Sequence, residues 1–252
     1  MRERIALLGR EGSATAILHH ALKQDFDVRV VHEQPPTTIQ LLRSRTRRLG
    51  LWQVIGQVLF QLLVAKPLGW MSGTRRKEIL LEHHASDAPI AASGTVPSVN
   101  DPVCWELVRT LSPKVVVING TRILSKKTIA ALGVPILNTH VGITPMYRGV
   151  HGAYWALAMG DREHCGVTVH LVDAGVDTGG ILRQALIAPT VKDNFATYPV
   201  MQMAVGSKLM AEAVHEVVAG KANPKQAIGP SRRWNHPTLW AYLANRLYRG
   251  VR

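Results

Sequence analysis

Cysteine is scarce in this chain of 252 residues, and the two that occur cannot build a covalent framework. Cys104 and Cys165 stand in Val103-Cys104-Trp105 and His164-Cys165-Gly166, without the spacing of a zinc ribbon or a disulfide scaffold, so reduced thiols and no bound metal are expected. A long apolar run at the start is missing as well. Met1-Arg2-Glu3-Arg4 leads straight into strand-like Ile5-Ala6-Leu7-Leu8-Gly9, too short for a signal peptide, and a cytoplasmic protein is the expectation. There is no internal repeat, no low-complexity tract and no complete dinucleotide fingerprint with its acidic partner, which excludes a dehydrogenase. Acidic residues are few, 17 against 30 Lys and Arg, for a formal charge of +13. No aromatic-basic RNA motif or metal finger accompanies that charge, so no nucleic-acid partner is expected. The positive field suits small anionic ligands or an anionic membrane surface instead.

What the chain does contain is enough apolar sequence, 46%, for one large α/β core with an appendage. Val115-Val116-Val117-Ile118 and Pro135-Ile136-Leu137-Asn138 read as buried strands around a helix from about 126 to 132, a βαβ unit. In such sheets ligands bind beyond the carboxyl ends of the strands, which is where Asn138 and His140 fall. Gly152 to Met159 reads as a helix, and the strand Gly166 to Leu171 leads into Val172-Asp173-Ala174-Gly175-Val176-Asp177-Thr178-Gly179-Gly180. Asn138, His140 and Asp177 supply an amide donor for an oxyanion, an imidazole near neutral pKa, and a carboxylate that orients it, a set suited to acyl transfer. Taken singly, a histidine after a strand is more often structural and an aspartate in a turn is more often a turn former. The four segments they sit among reverse that weighting.

Those segments are Arg122-Ile123-Leu124-Ser125, Asn138-x-His140, Pro145-x-Tyr147-Arg148-Gly149, and Gly166-Val167-Thr168-Val169-His170 running on to Asp177-x-Gly179. In this order they resemble the formyltransferase family that uses 10-formyltetrahydrofolate, which includes glycinamide ribonucleotide, methionyl-tRNA and nucleotide-sugar formyltransferases. The resemblance is strong over residues 112 to 190. It implies a Rossmann-like, mainly parallel sheet flanked by helices, with Asn138, His140 and Asp177 as the catalytic triad. It also implies that Arg122, Ile123 and Leu124, with Asp173, Ala174, Gly175 and Val176, hold the folate, a co-substrate that needs no metal. One departure from the family pattern is Val141-Gly142-Ile143-Thr144 after the histidine, which bears on the acceptor side of the pocket. His170 reads equally as a ligand contact or a satisfied core histidine, and Arg148 as an anion contact or a salt bridge within the loop.

Near the start, Gly9-Arg10-Glu11-Gly12-Ser13 opens a helix from Ala14 to Lys23. Gly9, Gly12 and Ser13 there either bind a phosphate of the acceptor at the helix terminus or make a structural turn that Ser13 caps. The turn resembles the phosphate turn of the glycinamide ribonucleotide enzymes, although Ala14 replaces their usual Asn.

The domain expected over residues 1–220 carries a helical insertion at about 43–77, and a short appendage covers 221–252, too short for the C-terminal barrel of the tRNA enzymes. Arg43, Arg45, Arg47 and Arg48 precede an apolar stretch from Leu49 to Ala65, in which Gln53, Gln57 and Gln61 would share one helical face, ending at Lys66-Pro67. Its apolar face is expected to be buried against the core or a homodimer mate, to form a lid, or to touch a membrane surface through about 49–65; the run is too short for a membrane span.

The function these features imply is formyl transfer to the primary amine of a small phosphorylated acceptor, with a nucleotide-linked amino sugar favoured. Glycinamide ribonucleotide is the runner-up acceptor. A formyltetrahydrofolate hydrolase and a binding protein that kept the pocket are the alternatives outside that class.

Overall fold

The computed structural model describes residues 2–252. Among them one sheet has the strand order β3-β2-β1-β4-β5-β7-β8, formed by β1 (Arg4–Gly9), β2 (Asp27–Glu33), β3 (Gly94–Val96), β4 (Val115–Asn119), β5 (Ile136–His140), β7 (Gly166–Leu171) and β8 (Ile181–Leu186). The first five run parallel, and β7 and β8 are antiparallel to their neighbours. The strand-helix-strand unit expected around Lys126 to Leu132 is present, with α7 (Lys126–Leu132) between β4 and β5. Every residue of β4 is buried, which is why its valines and isoleucine read as a continuous apolar run rather than an alternating one.

The helices follow their local signals. At α7 the Ser125 hydroxyl accepts the Thr128 N–H, and Gly133 ends the helix in a left-handed conformation. Helix α1 (Ser13–Leu22) and the long α9 (Tyr198–Val218) pack together on one face of the sheet; on the other, α6 (Pro102–Leu111) and α7 lie over Val116, Ile118 and Ile136. Ser13 does not cap α1. Gly12 occupies the cap position without a side-chain bond, and the Ser13 hydroxyl donates to Asp87 at 2.9 Å.

The insertion departs from its expected form in two ways. Helix α2 (Thr38–Leu49), started by a capping box between Thr37 and Gln40, buries no residue. After Gly50, α3 (Leu51–Phe60), a π-helical turn (Gln61–Ala65) and α4 (Lys66–Met71) run on as one helix of 21 residues, so the segment does not stop at Lys66-Pro67. Pro67 falls within the first turn of α4, where its missing N–H and fixed φ disturb the hydrogen-bond ladder least. The glutamines are also split: Gln57 is buried with Val54 and Phe60, whereas Gln53 and Gln61 are exposed together with Leu51, Trp52, Leu62 and Leu63. The helix is therefore long and apolar enough to cross a membrane by length and composition, though only 22% of its 18-residue apolar window is buried in the fold.

The tail turns back over the molecule. Strand β9 (Arg233–Trp234) pairs with β6 (Arg148–Gly149), just ahead of α8 (Gly152–Ala158), and α10 (Leu239–Arg249) then packs on α3. Trp234 is stacked between Tyr147 and Trp155, with Arg232 over its ring at 4.0 Å, and its indole N–H donates to Met146 O.

Candidate active site

Two groups on adjacent strands begin the site, because the β5–β7 register sets Asn138 opposite His170. Asn138 and His140 lie two residues apart on β5 and therefore share a face of the sheet. Asp177 reaches the same place from the loop after β7, held there with a left-handed φ of 52°. The Asn138 amide donates to His170 Nε2 at 3.2 Å and lies 3.5 Å from Asp177 Oδ1. His170 Nδ1 donates to the Leu171 carbonyl at 2.7 Å, which leaves its Nε2 free to accept from Asn138.

His140 is 4% exposed, and its Nε2 lies 2.7 Å from the Tyr147 carbonyl, which can only accept, so that nitrogen carries the proton. Its Nδ1 faces Asp177 Oδ2 at 3.5 Å. Burial lowers the His140 pKa from its ordinary value, and the Asp177 charge offsets that only in part. The neutral ring thus presents a lone pair on Nδ1 to the carboxylate, leaving one place for a proton between them. Burial alone would raise the Asp177 pKa. The neighbouring His170 and His140 and the Gly149 N–H outweigh it and hold the group at about 2. Gly142 makes the arrangement possible: a side chain there would meet Tyr147 O at 2.3 Å and His140 Nε2 at 2.9 Å. Gly142, within the Val141 to Thr144 segment, thus leaves room for the Tyr147 carbonyl to reach the imidazole.

These residues open into a cleft of about 630 Å³ at the carboxyl ends of β1, β4 and β5. One wall includes Arg122, Ile123, Leu124, Asp173, Gly175 and Val176, the residues expected to hold the folate, while Ala174 does not line it. The Arg122 guanidinium is occupied by buried Glu33 at 2.8 Å and by the carbonyls of Gln34 and Pro97. What this segment offers a ligand is its backbone and the exposed Ile123 side chain. Asp173 accepts from Gly175 N–H and the Thr178 hydroxyl, an arrangement that shapes the loop. Arg148 Nη1 donates to Val176 O, so it braces the loop that carries Asp177. Gly9, Gly12 and Ser13 are not among the lining residues; from that turn Arg10 alone reaches the cleft, with its buried Nε lacking a hydrogen-bond partner among the described residues.

The opposite wall holds residues that sequence reasoning did not assign to the site. Leu41, Ser44, Arg45 and Arg48 face in from α2, and Arg233, Trp234 and His236 from the tail. Arg45 donates to His236 Nε2 at 3.1 Å, and His236 Nδ1 lies 2.9 Å from His151 Nε2. Burial, reinforced by the neighbouring arginines, lowers His236 to about 4. Burial and His236 lower His151 to about 3. The spacing 41, 44, 45, 48 is that of one helical face, and it was the available signal.

Among the described residues no cluster of three His, Cys, Asp or Glu side chains is placed to hold a metal ion. The two walls and the polar end between them define an α/β enzyme fold with its site at the topological switch point of the sheet, where β1 and β4 send their connections to opposite sides. The formyl transferase family profile matches residues 80–214, and the chain belongs to that family. It is 32% identical to a methionyl-tRNA formyltransferase of Chlorobium chlorochromatii (strain CaD3) over 128 residues, 50% of this chain and 40% of that relative. The chain therefore spans well under half the length of the curated relative it matches. Its fold is similar to that of a sugar N-formyltransferase from Shewanella sp FDAARGOS_354, with a TM-score of 0.58 and 13% identity over 92% of this chain and 76% of that one. It is also similar to glycinamide ribonucleotide transformylase 1 from Symbiobacterium toebii, with a TM-score of 0.56 and 21% identity over 91% of this chain and 95% of that one.

Proposed function

We propose that this protein transfers a formyl group from 10-formyltetrahydrofolate to a primary amine on a small phosphorylated acceptor, with a nucleotide-linked amino sugar the favoured class. The observation that carries this reading is the Asn138, His140, Asp177 and His170 cluster, which stands between the wall of residues 122 to 124 and a wall rich in arginine. The amine nitrogen attacks the formyl carbon, the carbonyl oxygen becomes an oxyanion, and the folate nitrogen departs with the bond pair. No protein nucleophile is required. The Asn138 amide donates to the oxyanion, and removing such a donor costs about 2.7–4 kcal/mol of transition-state stabilisation. His140 Nδ1, kept unprotonated by burial, takes the proton that the amine loses. Asp177, ionised above about pH 2, stabilises the imidazolium that results. The departing folate nitrogen is then protonated from the same imidazole or through water.

Donor binding fits the wall of residues 122 to 124, where backbone groups and Ile123 face the cleft with the Arg122 side chain already anchored. Acceptor phosphate fits the other wall, where Arg10, Arg45, Arg48 and Arg233 line the cleft. From the Gly9 to Ser13 turn only Arg10 lines the cleft, while Gly9, Gly12 and Ser13 do not, and the absence of a backbone phosphate cradle there supports a nucleotide sugar over glycinamide ribonucleotide. A cleft of this size accommodates a small ligand.

The test is a mass-spectrometric screen of the full chain with 10-formyltetrahydrofolate and candidate amines, glycinamide ribonucleotide and nucleotide-linked amino sugars among them. The expected result is gain of one formyl group on a phosphorylated amine. Formate released at the same rate with and without every amine would make the protein a hydrolase and overturn the transfer reading.

A further inference from the structure

We propose that the outer face of the α3–α4 helix is a docking surface for an anionic membrane, on which it lies in the plane of the interface.

The geometry is that of a helix with one face already used. Val54, Gln57 and Phe60 are buried, and Val64 and Leu68 pack against the same core. The other face carries Trp52 at 77% exposure, Leu62 at 51%, Leu63 at 61%, Trp70 at 80% and Met71 at 81%. Large exposed apolar side chains occur singly on most proteins, but a row of them along one helix marks a contact surface. Trp52 and Trp70 stand near its two ends, about 27 Å apart at 1.5 Å per residue, and tryptophan is the side chain suited to the boundary between headgroups and acyl chains. Because the inner face is committed to the core, the helix cannot be surrounded by lipid, and lying flat is the membrane geometry left to it.

Charge identifies the occupant. From Gln34 to Lys77 the sequence holds eight Lys and Arg and no acidic residue, and after Glu216 it holds seven and again no acidic residue. All 17 acidic residues lie elsewhere. The two acid-free segments meet where the Trp240 ring of α10 covers Gly56 of α3, and α10 adds exposed Leu243, Leu247 and Tyr248. Arg75 and Arg76 are neutralised by Asp193, Glu78, Glu82 and Asp87. Arg43, Arg47, Lys66 and Arg246 are exposed and form no ion pair among the described residues. A second copy docked through this face would set cations against cations with no carboxylate from these segments between them. RNA would meet the arginines and stack its bases on the tryptophans, but it would leave Leu62, Leu63 and Met71 without an apolar partner. An anionic lipid surface satisfies both features, apolar insertion for the row and headgroup phosphates for the cations.

The test is co-sedimentation of the full chain with vesicles of phosphatidylcholine alone or enriched in phosphatidylglycerol, at low and high salt. Binding is expected to the phosphatidylglycerol vesicles, weakened by salt. The double variant Trp52→Ser, Trp70→Ser should lose it while keeping the wild-type Tm. The pair Arg47→Gln, Lys66→Gln, which removes two cations, should weaken it about tenfold or more. Equal binding to both vesicles, or none, overturns the proposal. So does a stable dimer in sedimentation equilibrium that the tryptophan variant abolishes, or binding of a single-stranded RNA with the same dependence on Trp52 and Trp70. The measurement needs no turnover, so its failure leaves the formyl-transfer reading untouched, and the reverse also holds.

Discussion

The strand half of the molecule and its two acid-free segments are built on opposite plans. Strands β1, β4, β5 and β7 are almost wholly buried, and residues at or just beyond the ends of β1, β4 and β5 line the cleft. The segment from 34 to 77 and the tail beyond 220 bury little of their own surface, yet supply one wall of the cleft and pack on each other. In the proposed reading the first region fixes where chemistry takes place, and the second fixes what is admitted to it. A family fold can keep the former while the latter changes its acceptor.

The largest expected effect breaks the first region and spares the second. His140→Ala and Asp177→Asn should each lower turnover by about 10²–10⁴-fold, the usual contribution of a positioned acid or base, with Tm and folate affinity nearly unchanged. Stopped-flow or steady-state rates together with thermal melting check this, and near-normal turnover in both variants would remove the assignment. Next in size is Trp234→Ala, which cuts the tail from β6. The side chain is 8% exposed within a three-ring stack, so a loss of about 3–5 kcal/mol by denaturant unfolding is expected.

A pH series sharpens the comparison. The native pKa values of His151, about 3, and His236, about 4, lie well below the ordinary 6.5 of an unfolded chain. Between those values the unfolded state binds more protons than the native one, so stability should fall as pH drops from about 6.5 toward 4. Calorimetry of wild type and His236→Asn should show a flatter profile in the variant. The rate should follow His140 instead: with its pKa lowered by burial, the acid limb of kcat is expected below about 6.5. The smallest effect is expected at Ser13→Ala, which removes one partly exposed bond to Asp87. About 0.5–1 kcal/mol of stability and no change in acceptor KM are expected, whereas a large rise in KM would return the phosphate turn to the site.

How much of this was legible depended on the range over which each feature is determined. The valine-rich runs at 115 to 118 and 166 to 171 declare themselves as strands because burial on both faces leaves a continuous apolar signal. The convergence of Asn138, His140 and Asp177 was expected from the family-like segments around them, and the structure brings Asn138 and His140 each to 3.5 Å from the Asp177 carboxylate. The antiparallel turn of β7 against β5 carried no comparable mark. The arginine-bearing wall was not readable either: Arg45 meets His236 across 191 residues, and β9 with β6 is a pair of two-residue strands, too short for any period. The glutamine spacing in α3 suggested a solvent face, but tertiary contact turned Gln57 inward and the leucines out. Local pattern gave the helix, and only packing could give its rotation.

That inward Gln57 has a consequence for register. A helix whose neighbours see only methyl and methylene groups can slide or roll by a residue with small loss, because apolar contact is nearly non-directional. Gln57 Nε2 donates to the His236 carbonyl at 2.9 Å, a bond that one rotational setting of α3 satisfies and a slipped one leaves broken in an apolar place. Its Oε1 has no hydrogen-bond partner among the described residues, so the side chain is a costly choice for stability alone. The glutamine acts as an address: it gives an otherwise interchangeable apolar surface a single seat against the tail and ties that seat to the residue that Arg45 holds from the cleft side.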